Sequence, residues 1–422
     1  MRGTAERSIR VRVAGGGGDD VLVDSSRVGA GSGYTVFHDY RGENRIVAGP
    51  GTRVGRRAPV RSEQAKALIN NAPGGQDRGV DRSLFTPGAE WKSNVGVVIG
   101  GGPSVTRYSF QRDPYVYRMG LRGLYAPQPS RFALEASGDF RRRGSDSRLE
   151  LFARASGMEV TRFHGFGNET RINDNSDLYR VWHSEYLLQP SLNFPVASRV
   201  RAFVGPVLKY SDPEQPQAGS PAEQLRPRGS NDAFGQLGAR AGVEWDRRDS
   251  EAFPTRGFRL RAGGSAHPLF WGDGSDPFGE SHVQGYAYLP VPLPLRPTLA
   301  LRAGANRAWG DYPLQEAVFV GGSGNLRGFQ SQRFAGDAAV YGNVELRVPL
   351  TRANLYLVRG DVGVLALVDA GRVYVSGESS NRWHTVTGGG LWFRPLELPY
   401  AANLLYARGE EARFYISLGM PF

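Results

Sequence analysis

The sequence predicts an all-β protein, a transmembrane antiparallel β-barrel of about 16 strands with a small β-rich N-terminal segment. Three observations carry that expectation. Beyond about residue 90, segments of roughly ten residues alternate between apolar and polar side chains, separated by Gly-, Pro- and Asp-rich breaks. The polar positions repeatedly carry Arg, Glu and Asp, which suits a wide polar lumen better than a soluble sheet facing bulk water. The apolar positions mix Ala and Gly with Leu and Val. Aromatics such as Tyr115, Tyr125, Trp245, Trp309 and Trp383 stand near segment ends, as in a girdle around a lipid-facing band. A soluble all-β domain is the alternative on these observations alone.

Residues 1–84 differ in composition from residues 85–422, which are assigned to the barrel. The first segment is rich in Gly, Asp, Arg and Ser, with short β-like runs at 9–13, 21–23, 34–37 and 45–47. The stretch 15–23, GGGGDDVLV, fits one copy of the calcium-binding nonapeptide G-G-x-G-x-D-x-U-x. That chemistry shares each ion between stacked turns, so a single copy is read as strand-turn-strand. Residues 62–71 (SEQAKALINN) are expected as a short helix with Ser62 as N-cap. Residues 71–81 read as a linker, and the segment as a whole suits the remnant of an upstream domain.

The alternating segments are delimited at 92–102, 115–126, 131–142, 147–160, 177–189, 199–210, 233–246, 257–266, 281–290, 298–309, 338–350, 361–374, 383–394, 399–408 and 412–422. That makes fifteen, and a single-chain bacterial barrel needs an even number, so either one strand is missed or an end is wrong. In the last segment Phe414, Ile416, Leu418, Met420 and Phe422 form the apolar face, and the sequence ends on an aromatic within the strand.

Composition excludes several functions. The chain has 422 residues and a net charge of +11 from 52 Lys+Arg and 41 Asp+Glu. The basic residues recur singly along the alternating segments instead of clustering, which argues against a nucleic-acid partner. There is no cysteine, so thiolate chemistry and cysteine-bound zinc are excluded, and the six histidines are scattered. No cofactor or metal is expected. No run of ~18 apolar residues offers a transmembrane helix. Residues 1–12 are charged and lack the apolar core of a signal peptide, so either the protein is cytosolic or this is not the natural export start.

The centre of the chain is 318–350, VFVGGSGNLRGFQSQRFAGDAAVYGNVELRVPL. Its glycines are neither a nucleophile elbow, because Asn325 stands where the last glycine belongs, nor a phosphate loop, because the lysine is missing. They suit a loop bending sharply inside a confined lumen. Parity places Tyr341, Asn343, Glu345 and Arg347 on the polar face of the following strand. It also turns Asp369 inward, opposite Val364, Ala366, Val368 and Ala370. A guanidinium drawn from water into such a lumen needs carboxylates.

These residues resemble the BamA/TamA-type outer-membrane barrel superfamily, the bacterial surface antigen family. Leu326-Arg327-Gly328-Phe329 resembles the family's [V/I/L]-R-G-[F/Y] motif in its sixth extracellular loop. HGFGNET at 164–170 is similar to its G-[L/I/F]-G-N-x-T segment. WDRRDSEAFPTRGF at 245–258 resembles its D-x-R-D-x-x-x-x-P-x-x-G hairpin, through Asp246, Arg248, Asp249, Pro254 and Gly257, read here as structural. VDAGRVY at 368–374 is similar to its F-x-D-x-G strand, with Leu367 in the usual Phe or Gly position. FYISLGMPF resembles the C-terminal assembly signal, through Phe414, Ile416, Leu418, Gly419 and Phe422. The resemblance covers the barrel and not residues 1–84, where no POTRA domain is recognised.

The resemblance implies that Arg327 pairs with Asp369, with Glu345 nearby. It implies an outer-membrane location and contact with outer-membrane lipid and lipopolysaccharide. It also implies unfolded outer-membrane protein clients and a role in inserting or translocating polypeptide. That role would use a seam between the strand near 92–102 and the strand at 412–422. Two alternatives stand beside it: a barrel that anchors or exports a fused enzymatic domain, and a passive diffusion porin. No residue set has the character of a catalytic site, so no enzyme is expected.

Overall fold

The computed structural model describes residues 11–17, 19–24, 35–49, 52–56, 79–109, 112–142, 145–172, 176–272, 276–354, 359–396, 401–420 and 422. The expected helix at 62–71 lies outside the described residues, as does the linker except for its last three residues. Two compact units are present. The first comprises Met1–Arg82, Val105–Arg118 and Phe140–Arg148; the second comprises Ser83–Ser104, Met119–Asp139 and Leu149–Phe422.

Among the described residues of 11–56, the strands are β1 (Val11–Gly17), β2 (Val21–Val23), β3 (Thr35–Arg41), β4 (Arg45–Val47) and β5 (Thr52–Gly55). β1 and β2 do not pair with each other. β1, β3 and β5 form one parallel sheet, and β2 and β4 another. Val11 stands opposite Thr35 and Val21 opposite Arg45. The Asn44 amide donates to Asp39 at 2.7 Å and accepts the Asp20 N–H at 2.7 Å.

The barrel strands are β6 (Val80–Lys92), β7 (Gly96–Ser109), β8 (Arg112–Ala126), β9 (Arg131–Arg141), β10 (Arg148–Arg162), β11 (Arg180–Leu188), β12 (Ser191–Ala197) and β13 (Val200–Pro213). They continue as β14 (Phe234–Asp246), β15 (Gly257–Gly272), β16 (Phe278–Pro290) and β17 (Thr298–Gly310). A hairpin of β18 (Val318–Val320) and β19 (Phe334–Gly336) interrupts the series. β20 (Ala338–Asn354), β21 (Arg359–Tyr374), β22 (His384–Pro395), β23 (Ala402–Arg408) and β24 (Ala412–Leu418) complete it. The ring closes with β24 beside β6. β11 and β12 both pair with β13 and form one strand interrupted at Gln189-Pro190. Counted that way the ring has sixteen strands, an even number, as barrel closure with consecutive antiparallel neighbours requires.

Two sequence expectations need correction here. The missing strand is β6, so the seam lies between β6 and β24 and not at 92–102. β6 was hidden because VDRSLFTPGAEWK carries Pro87 and Gly88 and alternates poorly. The segment expected at 177–189 begins at Arg180, after a 3-10 turn over Ser176–Tyr179, and resumes beyond Pro190 as β12.

The barrel is apolar outside and charged inside. Leu121, Leu134, Leu260, Val283, Val344, Val368 and Leu404 face outward and are exposed, while Glu185, Glu345, Arg347 and Asp369 are buried. In a water-soluble fold this would be inverted; around a lumen it lets lipid cover the outer band. A ladder of charge crosses the interior. Lys92 pairs with Glu159 at 2.7 Å, Arg154 with Glu185 at 2.6 Å, and Lys209 with Glu185 at 3.0 Å.

Candidate functional site

The connection between β17 and β20 folds back into the lumen. Counted from β6, residues 311–337 are the sixth connection at their end of the barrel. β18 pairs with β19, Val318 opposite Gly336, and carries the tip inward. The Asn325 side chain holds the bend. Its Oδ1 accepts the Gly321 N–H at 2.8 Å, and its Nδ2 donates to the Phe319 carbonyl at 3.0 Å. This is why Asn, and not a fourth glycine, follows Gly324. Gly328 has φ +75°, and a Cβ there would stand 2.6 Å from the Gly409 nitrogen, so only glycine fits.

The bend delivers Arg327 to two carboxylates. Its Nη2 and Nε donate to Asp369 at 2.6 and 2.8 Å, and its own backbone N–H donates to the same carboxylate at 3.2 Å. Its Nη1 donates to Glu345. Arg327 is 3% exposed and both acids are 0% exposed, so the cluster is buried. Burial alone would lower the arginine pKa, but Asp369 and Glu345 raise it, and the group stays charged. Glu345 also accepts from Arg347 at 2.8 and 3.0 Å. The two arginines and two carboxylates form a forked, charge-balanced cluster. Apolar neighbours seal it: Leu326, Phe329 and Phe334 pack with Leu365, Leu367 and Val386.

The loop has further anchors with no counterpart in the sequence reading. Arg333, 2% exposed, donates to Glu410 at 2.7 and 2.8 Å and to the Thr170 side chain and carbonyl at 2.7 Å each. Glu316, at the loop's first turn, pairs with Lys209 at 2.6 Å and accepts from Gln236 at 3.2 Å. The 164–170 segment completes the seat. Phe166 bridges to Ala335 of β19, and the Gly167 N–H donates to the Ala335 carbonyl at 2.9 Å. Asn168 acts as a strand neighbour to Val373, accepting its N–H at 3.0 Å and donating to its carbonyl at 2.8 Å. It also donates to Glu378 at 2.9 Å. One faint signal marks Arg333 in the sequence: it is the second arginine of the same loop. Glu378 and Glu410 gave none.

The loop also touches the last strand. The Gly328 N–H donates to the Tyr415 hydroxyl at 2.9 Å, and Gln330 donates to Glu411 at 3.2 Å. The expected terminal strand through Phe422 is shorter than its alternation suggested. β24 ends at Leu418, and Gly419 turns with φ +98°. Phe414, Ile416 and Leu418 do face outward, at 72%, 85% and 80% exposure. Phe422 instead turns inward. Its carbonyl accepts from Arg347 at 2.8 Å, and the guanidinium groups of Arg302, Arg327 and Arg347 lie 5.4–5.8 Å from its ring.

The 245–258 hairpin joins β14 to β15 at the opposite end. Asp246 accepts from Arg248 at 2.7 Å, and Asp249 accepts from Thr255 and from the Arg256 N–H. Pro254 is buried. Gly257 has φ +105° and stands so close to the Arg247 carbonyl that no side chain fits. These residues therefore shape a turn and do not join the loop cluster. Among the described residues, no group of three or more His, Asp or Glu is placed to hold a metal ion.

An Omp85 superfamily domain model matches residues 132–422. The chain belongs to the Omp85 superfamily. It is thus a bacterial outer-membrane β-barrel of the class that serves polypeptide insertion and translocation, a family of transport and assembly proteins. The structure of BamA from Haemophilus ducreyi lacking POTRA domains 1-3 is similar in fold, with a TM-score of 0.58 and 14% identity over 80% of this chain and 68% of that one. CdiB from Escherichia coli matches with a TM-score of 0.49 and 13% identity over 81% of this chain. CdiB from Acinetobacter baumannii matches with a TM-score of 0.45 and 12% identity over 81% of this chain. This chain spans 61% and 58% of those two CdiB chains respectively. No curated protein sequence matches it.

Proposed function

We propose that this Omp85 barrel inserts or moves polypeptide at the outer membrane by opening the seam between β6 and β24, with the Arg327 cluster latching the loop that controls it. The observation that carries this reading is the contact between latch and seam. One residue beyond Arg327, Gly328 is hydrogen-bonded to Tyr415 on β24. Arg347, bound to the same Glu345 as Arg327, holds the carbonyl of Phe422 beyond β24. Release of the loop thus removes support from one side of the seam.

A second feature agrees. Within the barrel, the most exposed large apolar side chains are Leu84 (93%), Ile416 (85%), Leu418 (80%), Trp91 (73%) and Phe414 (72%), and all lie on β6 or β24. Neighbouring side chains shield them less than they shield the other outward residues. The clients would be unfolded outer-membrane proteins, with lipid and lipopolysaccharide as the surrounding medium.

The test is a disulfide between β6 and β24. The native chain has no cysteine, so an introduced pair is unambiguous. In liposomes, oxidation should abolish client insertion and reduction should restore it. Equal activity in the oxidised and reduced forms would refute a gating seam.

A further inference from the structure

The geometry points to an oxyanion-binding site of the phosphate class inside the lumen, built on Arg162 of β10 and Arg180 of β11. The two residues are directly opposite in the antiparallel register, so their side chains emerge on the same face. Like charges in that arrangement repel. Such a local conflict is expected where a site serves a ligand and not stability alone.

Arg162 is 5% exposed. It donates Nη1 to Gln330 at 2.6 Å, but its buried Nε has no partner. Among the described residues no carboxylate lies within ion-pair distance of it. The acids nearby are already engaged: Asp177 with Arg180 at 2.9 Å, and Glu411 with Arg413 and Gln330. Arg180 and Arg413 act on Arg162 as repelling charges, and Asp177 and Glu411, each shared with another partner, as attracting ones. Arg162, Arg180 and Arg413 line one cavity of about 1750 Å³, together with Arg131, which is neutralised by Glu214 at 2.7 Å.

The cavity is reached from the end that carries the long connections, since Asn94, Gln128, Asp177 and Gln215 of those connections line it. Its other wall is β24, from Ala412 to Leu418. An oxyanion seated between Arg162 and Arg180 would accept from both forks and from the idle Nε. It would offset the repulsion between the two guanidinium groups. A phosphate in solution and a phosphate on an outer-leaflet lipid offer the same chemistry, and the site does not depend on the seam being a gate.

The experiment uses the full chain in detergent. Thermal unfolding is followed with inorganic phosphate on the order of 1 mM against chloride at equal ionic strength, low enough to avoid general salting effects. A parallel arm uses mixed micelles with phosphatidic acid against phosphatidylcholine. Phosphate from at least one source should raise the midpoint of the wild type beyond its control. Arg162→Gln should weaken that apparent affinity at least about tenfold, and Arg162→Lys less. Response to inorganic phosphate alone identifies a soluble ligand, and response to phosphatidic acid alone a lipid one; either supports the site. Equal midpoints with phosphate and control in both arms, or an undiminished response in Arg162→Gln, would overturn it.

Discussion

Replacing Arg327 by Met removes a buried charge and leaves its partners behind. Asp369 accepts three hydrogen bonds from Arg327 and none from any other described side chain. Glu345 keeps Arg347. The penalty therefore falls on Asp369, as an uncompensated carboxylate at 0% exposure. Breaking a buried pair in this way costs about 3–5 kcal/mol. If that loss acts on the docking of the loop, the undocked population rises by roughly two to three and a half orders of magnitude. Chymotryptic cleavage after Phe329 or Phe334 reads that population, because cleavage tracks the open form when closing is fast.

The cluster also dictates the order of rescue. Asp369→Asn in the Arg327→Met background removes the orphaned charge and should recover most of the protection. Glu345→Gln should recover less, because it removes the side-chain carboxylate that, among the described residues, pairs with Arg347. Unchanged cleavage in Arg327→Met would refute the latch. So would a stronger rescue by Glu345→Gln than by Asp369→Asn.

Four further outcomes follow from the same contacts. Gly328→Ala forces a Cβ against the Gly409 backbone at φ +75° and should loosen the loop by about 1–3 kcal/mol, read by the same cleavage assay. Lys209→Met leaves Glu316 buried without its cation and should undock the loop's first turn by about 3 kcal/mol, seen as faster hydrogen exchange over residues 314–320. His164 is held to a pKa of about 3 against an ordinary 6.5 by burial, and by Arg333 and Arg162. The unfolded chain takes up that proton first, so stability is full above pH 6.5 and falls as pH drops toward 3; the loss at pH 5 is about 2 kcal/mol, absent in His164→Gln, by urea midpoints. Deleting residues 318–335 removes the lumenal plug and should raise ion conductance in planar bilayers, and an unchanged conductance would show that the loop does not obstruct the lumen.

The barrel was legible because lipid and lumen impose a two-residue period that survives in single segments. β20 is the clearest case: Val344 and Leu346 are exposed while Asn343, Glu345 and Arg347 are buried, as parity requires. Parity failed where the sheet is locally irregular. β6 carries Pro87 and Gly88, and Phe422 leaves its alternation once Gly419 turns the chain. Arg327, Glu345 and Asp369 could be assembled from face assignments plus resemblance. The other anchors could not. Arg333 meets Glu410 across 77 residues and Thr170 across 163, and Asn168 meets Glu378 across 210. Each of these residues is an ordinary polar side chain in its own stretch, and only closure of the ring brings the long connections together.

A loop held by charge behaves differently from one held by apolar packing alone. A buried ion cluster contributes little net stability when intact, because desolvation offsets attraction, yet it is costly to half-break. Arg327 cannot drift outward by degrees, since withdrawal of its side chain strips the buried Asp369 of both guanidinium donors. The Arg333 anchor couples to different partners, Glu410 and Thr170, on the connections beside β24 and β10. Two such anchors six residues apart make docking close to all-or-none, whereas Leu326 and Phe329 alone would permit sliding. An all-or-none loop that reaches Tyr415 on the seam strand has the energetic form required of a two-state element. The discriminating measurement is coupling between the anchors. A double-mutant cycle of Arg327→Met with Arg333→Met should give a cleavage penalty well below the sum of the singles, because either loss already frees the tip. Strict additivity would show two independent tethers and no switch.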